Sequence, residues 1–375
     1  MVTETRQVRD FSALVAGGSG DVVVITPALK ALKTLYPQSK MALMTNHYSA
    51  EVVRGAPYVD ELITFTDLFS AQSIFHFLKP RILYQLYCLV TLMLRRRFDI
   101  FICFHNLVKW PGIIKPLLLA MLSRAPIRAG FNTANRGFFL NIKTPDNSNK
   151  HLLFRCIDVI KQMAHRSRIN CFQVKPETEV WLTDQDREYA NDFMGRNNIK
   201  TGDFLVGIHP GGNPRHYLSQ CWPPERYAEV INILSSKHNA RILLTGSKAD
   251  RPALDKITPR LKTSPVLLSE NTSIKQLSAV IGRCNLFISN DTGPMHLAIA
   301  MKVPTIGIFG GGEYQMYGAY LPESGFIGIR KDIPCSPCYH KPKCSVSECL
   351  DKITVEEVLQ AAETQIKRIK NKWLR

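Results

Sequence analysis

Short apolar runs alternate with segments of helical periodicity along this chain, and the alternation restarts halfway. In the first half, 12–16 and 41–45 read as buried strands; a glycine turn and a helix through 28–36, closed by Pro37, lie between them. Residues 99–104 form a further strand and 152–163 a helix. In the second half the strands are 204–209, 241–245, 286–289 and 305–309, and the helices 224–236, 274–281 and 294–301. Strands joined by helices of roughly 8 to 14 residues imply parallel sheets with crossover helices. A chain of 375 residues exceeds the size at which one core stops growing, so two such domains are expected. Their predicted limits are 1–173 and 178–350. The polar segment 174–179, carrying Lys175-Pro176-Glu177, would be the linker, and 351–375 a C-terminal helix free to pack back on the first domain.

Parallel sheets of this kind bind ligands beyond the carboxyl ends of their strands, which singles out three loops. The first is Gly17-Gly18-Ser19-Gly20-Asp21. Its glycines allow a tight turn and close backbone approach, but Val23 stands where the dinucleotide fingerprint needs its last glycine, and no P-loop lysine follows. What remains is a carboxylate at a sheet mouth. Asp21 is either a helix-capping residue or a general base for a substrate hydroxyl. The second loop is Asn290-Asp291-Thr292-Gly293-Pro294. The helix it opens has unpaired amides and a positive dipole end, a natural diphosphate site, with His296 one turn beyond Thr292 on the same face. The third is His209-Pro210-Gly211-Gly212-Asn213, where paired glycines suggest backbone close to a ligand.

Charge adds a surface. The net charge is +17, and between residues 69 and 145 eleven basic residues, among them Lys79, Arg81, Arg95, Arg96, Arg97, Lys109 and Lys115, face the single acid Asp99. They are interleaved with Phe75, Phe77, Tyr84, Tyr87 and Leu117 to Leu119, a mixture that suits an anionic membrane or lipid. No zinc-finger, RRM or helix-turn-helix pattern accompanies the charge, which argues against nucleic acid. Residues 1–10 lack the apolar core of a signal peptide, and the longest apolar run, 82–94, falls short of the roughly 18 to 20 residues that span a bilayer. The expectation is a cytoplasmic protein, peripheral on the cytoplasmic face of the inner membrane, whose ten cysteines stay reduced.

Three segments together resemble glycosyltransferase family 9, the ADP-heptose:lipopolysaccharide heptosyltransferases. They are Gly20-Asp21-Val22-Val23 with Thr26-Pro27-Ala28-Leu29, His209-Pro210-Gly211 with Trp222-Pro223-Pro224-Glu225-Arg226, and Ser289-Asn290-Asp291-Thr292-Gly293-Pro294-Met295-His296-Leu297. The resemblance runs from about residue 12 to 358. It implies the α/β GT-B fold, two Rossmann-like domains with parallel sheets facing an inter-domain cleft. It also implies inverting transfer of a sugar, heptose by analogy, without cofactor or metal. The partners would be a nucleotide diphosphate-sugar donor, ADP-heptose, and a phosphorylated glycolipid acceptor. Carried over by motif, Asp21 is the general base, with Gly18, Ser19 and Gly20 on the acceptor side. Asp291, Thr292, Gly293 and His296 hold the donor together with Gly211. Asp250, in Gly246-Ser247-Lys248-Ala249-Asp250, stands where the family has an acid contacting the nucleotide ribose.

The chain also departs from the pattern. Gln220 replaces a lysine that usually precedes the tryptophan by two residues, with Arg215 and His216 the nearby cations, and Phe309-Gly310-Gly311-Gly312 replaces Gly-Pro-Thr. The loss of that lysine leaves open a nucleotide-sugar-binding protein without transferase activity, and a nucleotide-sugar epimerase is a further alternative. Asp184-Gln185-Asp186 imitates a metal-binding D-x-D, but it follows Thr183 and is read as acidic first-turn residues of a helix. Cys335, Cys338, Cys344 and Cys349, with His340 among them, have spacing that admits a structural zinc or iron–sulfur cluster; buried reduced thiols are the favoured reading, and no metal enters the mechanism.

Overall fold

The structure is a computed structural model that describes residues 10–15, 17–64, 80–107, 110–145, 149–169, 173–212, 221–268, 270–312, 314–318, 325–336, 338 and 347–373. The chain divides into two compact units, residues 1–181 and 182–375.

The first unit contains β1 (Asp10–Leu14), α1 (Ser19–Leu35), β2 (Lys40–Thr45), β3 (Glu61–Thr64), α2 (Pro80–Arg95), β4 (Ile100–Cys103), α3 (Ile114–Leu122), β5 (Ile127–Phe131), β6 (Ile142–Thr144) and α4 (Leu152–Arg166). Its strands are all parallel, in the order β3-β2-β1-β4-β5-β6. The second contains α5 (Asp184–Arg196), β7 (Leu205–His209), α6 (Pro224–His238), β8 (Arg241–Leu244), α7 (Arg251–Ile257), β9 (Val266–Leu267), α8 (Ile274–Ile281), β10 (Leu286–Asn290), α9 (Gly293–Ala300), β11 (Thr305–Ile308), β12 (Phe326–Ile329) and α10 (Val355–Trp373). Its order, β12-β11-β10-β7-β8-β9, also all parallel, repeats the first sheet's doubly wound plan. Each unit is therefore Rossmann-like, with strand order reversing at the central pair: β1 beside β4, and β10 beside β7.

The predicted strands are present, with ends displaced by one or two residues. Helix α1 differs more: it begins at Ser19 rather than near residue 28. The run Val22-Val23-Val24-Ile25 and Pro27 argue locally against a helix, because β-branched side chains crowd the preceding turn and proline removes a donor. All five residues are buried, and burial of this apolar face outweighs propensity. The strands β3, β5, β6, β9 and β12, and the helices α2, α3 and α7, were not anticipated. Most of those strands are four residues or fewer at the sheet margins and too short to show a period.

Burial also settles the ends of the units. The segment 174–179 belongs to the first unit, where Glu179 N donates to Thr26 Oγ1 at 3.1 Å and its carboxylate pairs with Lys30. Two residues on, Trp181 N donates to Val52 O at 2.9 Å, and the division follows at Leu182. In the second unit one face of the sheet, through Val206, Ile208, Ile242, Leu286, Ile288 and Ile306, packs on Tyr227, Val230 and Leu234 of α6. Helix α10 joins this core through Val355, Val358, Ala362 and Ile366, so the C-terminal helix packs in the second unit. Trp222 connects the two: fully buried, it stands edge-on to Tyr227 at 5.1 Å and donates Nε1 to Ile353 O at 3.0 Å. Arg226 donates to the carbonyls of Asp351 and Ile353, so the Trp-Pro-Pro-Glu-Arg stretch acts as a strut for the chain entering α10.

Candidate active site

In the first unit the corner between central strand β1 and α1 carries Asp21. Gly18 is the extended N-cap residue (φ −78°, ψ −178°) and Asp21 the third helical residue, whose Oδ2 accepts from Gly18 N at 2.7 Å. The carboxylate is thus both a capping group, one alternative of the sequence reading, and the acid at the mouth of the sheet. Gly17 is required by this arrangement, because a Cβ there would overlap the Asp21 carboxylate. Gly18 is exposed, Ser19 half-buried and Gly20 buried beneath them. Behind the corner, α4 packs on α1. Its Cys156 thiol is pushed far up by burial, with the charges of Asp21 and Asp158 adding and Arg155 opposing.

In the second unit the corner between β10 and α9, also at the strand-order reversal, presents Asp291, Thr292 and Gly293, all half-buried. Thr292 is the N-cap residue, but its hydroxyl turns back to Asn290 O at 3.3 Å and contacts Ser289 Oγ at 3.3 Å. Pro294 offers no N–H, and Met295 N donates to Thr292 O at 3.1 Å, which leaves the Gly293 N–H as an amide of this first turn with no partner inside the helix. Asp291 N is held by Ile308 O at 3.1 Å, and its carboxylate lies beside Gly312 of the loop after β11. His296 is buried at 5% exposure with Tyr317 edge-on at 6.2 Å, and burial takes its imidazole down to about 4.

The neighbouring loops are braced by residues whose bracing role the sequence did not reveal. Asn290, at 0% exposure, gathers three segments: Oδ1 accepts from Trp222 N at 3.1 Å and Tyr227 Oη at 2.9 Å, and Nδ2 donates to Pro210 O at 2.8 Å and Gly211 O at 2.9 Å. Asp250 is buried too. Its Oδ2 accepts from Ser247 N and Oγ at 2.8 and 2.7 Å, and its Oδ1 from Gly212 N at 3.2 Å. A Cβ on Gly211 would strike that carboxylate, so Gly211 is needed for bracing the loop. His209 bonds through Nδ1 to Thr245 O and Oγ1 at 3.2 and 3.1 Å, and burial lowers its pKa. Gln220, Arg215 and His216 lie outside the described residues.

Asp184 and Asp186 open α5 as the sequence suggested: Thr183 is the N-cap residue, its N and Oγ1 donating to Asp186 Oδ2 at 2.8 and 2.6 Å. Cys344 and His340 lie outside the described residues; of the other thiols, Cys335 is exposed, Cys349 is buried in the core, and Cys338 donates N and Sγ to Gly311 O at 2.7 and 3.0 Å. Among the described residues no three potential ligands come together as a metal site.

The basic segment of the first unit is divided by function. Arg96 is structural: it pairs with Asp10 at 2.8 Å and with Glu61, and lies over the Phe98 ring at 4.8 Å. Arg81, Arg95 and Arg97 are exposed. Beside them α2 exposes Leu83, Tyr84, Tyr87 and Leu94, each 47–68%, while burying Ile82, Leu89 and Met93 on its other face. Helix α3, in contact with α2, exposes Ile114, Leu118 and Met121 in the same way. Phe75, Phe77, Lys79 and Lys109 lie outside the described residues. Among the described residues no helix is long and apolar enough to cross a membrane.

The buried imidazole carries a pH prediction. His296 is held well below the 6.5 of an exposed histidine, so the unfolded chain takes up a proton first as pH falls. Stability is therefore full above about pH 6.5 and is lost progressively toward pH 4, by roughly 3 kcal/mol from this group. Denaturant unfolding at pH 7 and pH 5 should show a smaller loss in His296→Gln; an identical loss in both proteins refutes the assignment.

Comparison with known proteins bears on the family and the fold. The family model described as "Glycosyltransferase family 9 (heptosyltransferase)" matches residues 92–347. The lipooligosaccharide heptosyltransferase 2 of Campylobacter jejuni is 29% identical over 174 residues, 45% of this chain and 53% of that protein. The chain thus spans about half the length of that curated relative. Among solved structures, the glycosyl transferase family 9 protein of Veillonella parvula superposes with TM-score 0.76 at 22% identity, covering 96% of this chain and 97% of the other. The Escherichia coli heptosyltransferase WaaC, solved with ADP, gives TM-score 0.68 at 17% identity, covering 95% and 99%.

Proposed function

Because the chain belongs to glycosyltransferase family 9, we propose that it transfers heptose from ADP-heptose to a hydroxyl of a lipopolysaccharide-type, lipid-linked acceptor. The observation that carries this reading is the difference between two corners that both lie where the strand order reverses, one after β1 and the other after β10. After its central strand the first unit presents a carboxylate, Asp21; the second presents the Gly293 amide and the positive end of α9. One suits removal of a proton, the other binding of a diphosphate. The E. coli relative solved with ADP supports an adenine nucleotide in the donor.

In this mechanism Asp21 accepts the proton of the acceptor hydroxyl as its oxygen forms a bond to the anomeric carbon. The bond from that carbon to the diphosphate oxygen breaks on the opposite side, so configuration inverts. Charge developing on the leaving diphosphate is stabilised by the Gly293 N–H, the Thr292 corner and the α9 dipole. A carboxylate repels phosphate, so Asp291 serves the sugar hydroxyls rather than the diphosphate. His296, neutral near pH 7, offers hydrogen bonding without charge.

Nucleoside diphosphate release from ADP-, GDP- and UDP-linked sugars, with and without a heptose-deficient lipopolysaccharide acceptor, tests the reading. Release is expected from ADP-heptose and only when acceptor is present. A protein that binds these donors and releases nothing with any acceptor is a binding protein, and the transferase reading falls.

The exposed apolar rows of α2 and α3, flanked by Arg81, Arg95 and Arg97, support an anionic membrane surface as the place where the acceptor is met. Arg95→Gln with Arg97→Gln should weaken binding to anionic vesicles by about thirtyfold, at about 1 kcal/mol per cation lost near the surface. Arg96 is left untouched because its ion pairs hold the fold. Sedimentation with phosphatidylglycerol vesicles measures it; unchanged binding removes this surface from the proposal.

A further inference from the structure

Asp21 accepts from a peptide unit that is itself clamped from the loop after β2. The amide between Gly17 and Gly18 points its N–H at Asp21 Oδ2, 2.7 Å away, and its C=O in the opposite direction. That carbonyl accepts from Asn46 Nδ2 at 2.6 Å and from Ser49 Oγ at 3.3 Å. Asn46 Nδ2 also reaches Ser49 Oγ at 2.8 Å, while Asn46 Oδ1 takes Ser49 N at 2.8 Å. The amide orientation of Asn46 follows from its partners, because the reverse would set NH2 against an N–H and oxygen against a carbonyl. Ser49 is buried and Asn46 half-buried, both on the element that follows β2, β1's partner in the sheet.

We propose that Asn46 and Ser49 are positioning residues for the Asp21 carboxylate, acting through the Gly17–Gly18 peptide. Two donors on the carbonyl fix the plane of the amide and polarise it, which strengthens and aims the N–H on its other side. That N–H binds Oδ2 and restricts the carboxylate to one rotamer. A Cβ at Gly17 would overlap the carboxylate, so the space that this geometry needs is kept by the same peptide. Asn46 has a second task as the cap of the short helix His47–Ala50, performed by Oδ1; the positioning task belongs to Nδ2. The inference rests on the reading of Asp21 as the base.

The division of labour within Asn46 makes the test selective. Asn46→Ser keeps an oxygen for the helix cap but is too short to reach the Gly17 carbonyl, and Ser49→Ala removes the other donor. With ADP-heptose and lipid acceptor, the double variant is expected to lose about tenfold in kcat, the equivalent of one oriented hydrogen bond, with the donor KM unchanged. Its thermal unfolding midpoint should stay within a few degrees of the parent, and Ser49→Ala alone should show a smaller kcat loss of the same kind. A parental kcat in the double variant, a rise in donor KM at constant kcat, or a kcat loss that tracks loss of folded protein overturns the proposal, provided Asp21→Asn is inactive. Turnover retained in Asp21→Asn overturns the assignment of the base instead.

Discussion

Asp21→Asn should lower turnover by a hundredfold or more while leaving the fold and ADP binding intact. The substitution is close to isosteric, and the asparagine side-chain oxygen can still accept from Gly18 N, so the N-terminal cap of α1 survives. What disappears is the capacity to take a proton, a role worth about 10²- to 10⁴-fold in rate. Asp21→Ala would mix two effects, since it also deletes the cap, at a cost of about 0.5–2 kcal/mol. Initial rates of ADP release with saturating donor and acceptor, beside the thermal shift produced by ADP alone, separate chemistry from binding. Full turnover in Asp21→Asn would show that the carboxylate is only a cap.

The second large effect is on stability. Asn290→Ala should destabilise the second unit by about 3–5 kcal/mol, because two donors and two acceptors in a buried site lose their partner together. For a unit of this size that corresponds to a midpoint roughly 10 °C lower, at about 2–4 °C per kcal/mol. The loss should extend to function, since Asn290 fixes Pro210 and Gly211 on β7's loop directly beside the Thr292 corner. The ADP-induced thermal shift should therefore shrink even at temperatures where the variant is fully folded. Asn290→Asp is the instructive companion: it keeps both acceptor contacts but sets a buried carboxylate against two carbonyls. A midpoint within a degree or two of the parent for Asn290→Ala would show that the loops are held by other contacts.

The two expectations differ in how visible they were. Asp21 could be singled out from the glycine-rich loop that precedes it, because a carboxylate after such a turn admits only a few local roles. Asn290 was visible as part of a motif but not as a hub. Its four partners lie between 63 and 80 residues away, and nothing local announces that Tyr227, Trp222, Pro210 and Gly211 converge on it. Trp222 likewise reads as a motif residue, and only its bond to Ile353, 131 residues away, makes it a strut. Arg95, Arg96 and Arg97 look alike in sequence. The middle one turns inward to Asp10 and Glu61 while its neighbours stay exposed.

By itself the sequence determined the class of fold, the duplication of the plan, most central strands and the loops at their carboxyl ends. All of these depend on local periodicity and turn chemistry, which are written in consecutive residues. Tertiary structure decided where α1 begins, because burial of Val22 to Ile25 overrides their helix propensity. It also brought the marginal strands into the sheets, placed α10 in the second unit and gave the polar side chains their tasks. Those outcomes depend on contacts between distant residues, and a buried hydrogen-bonding group finds its partner only once the chain has folded around it.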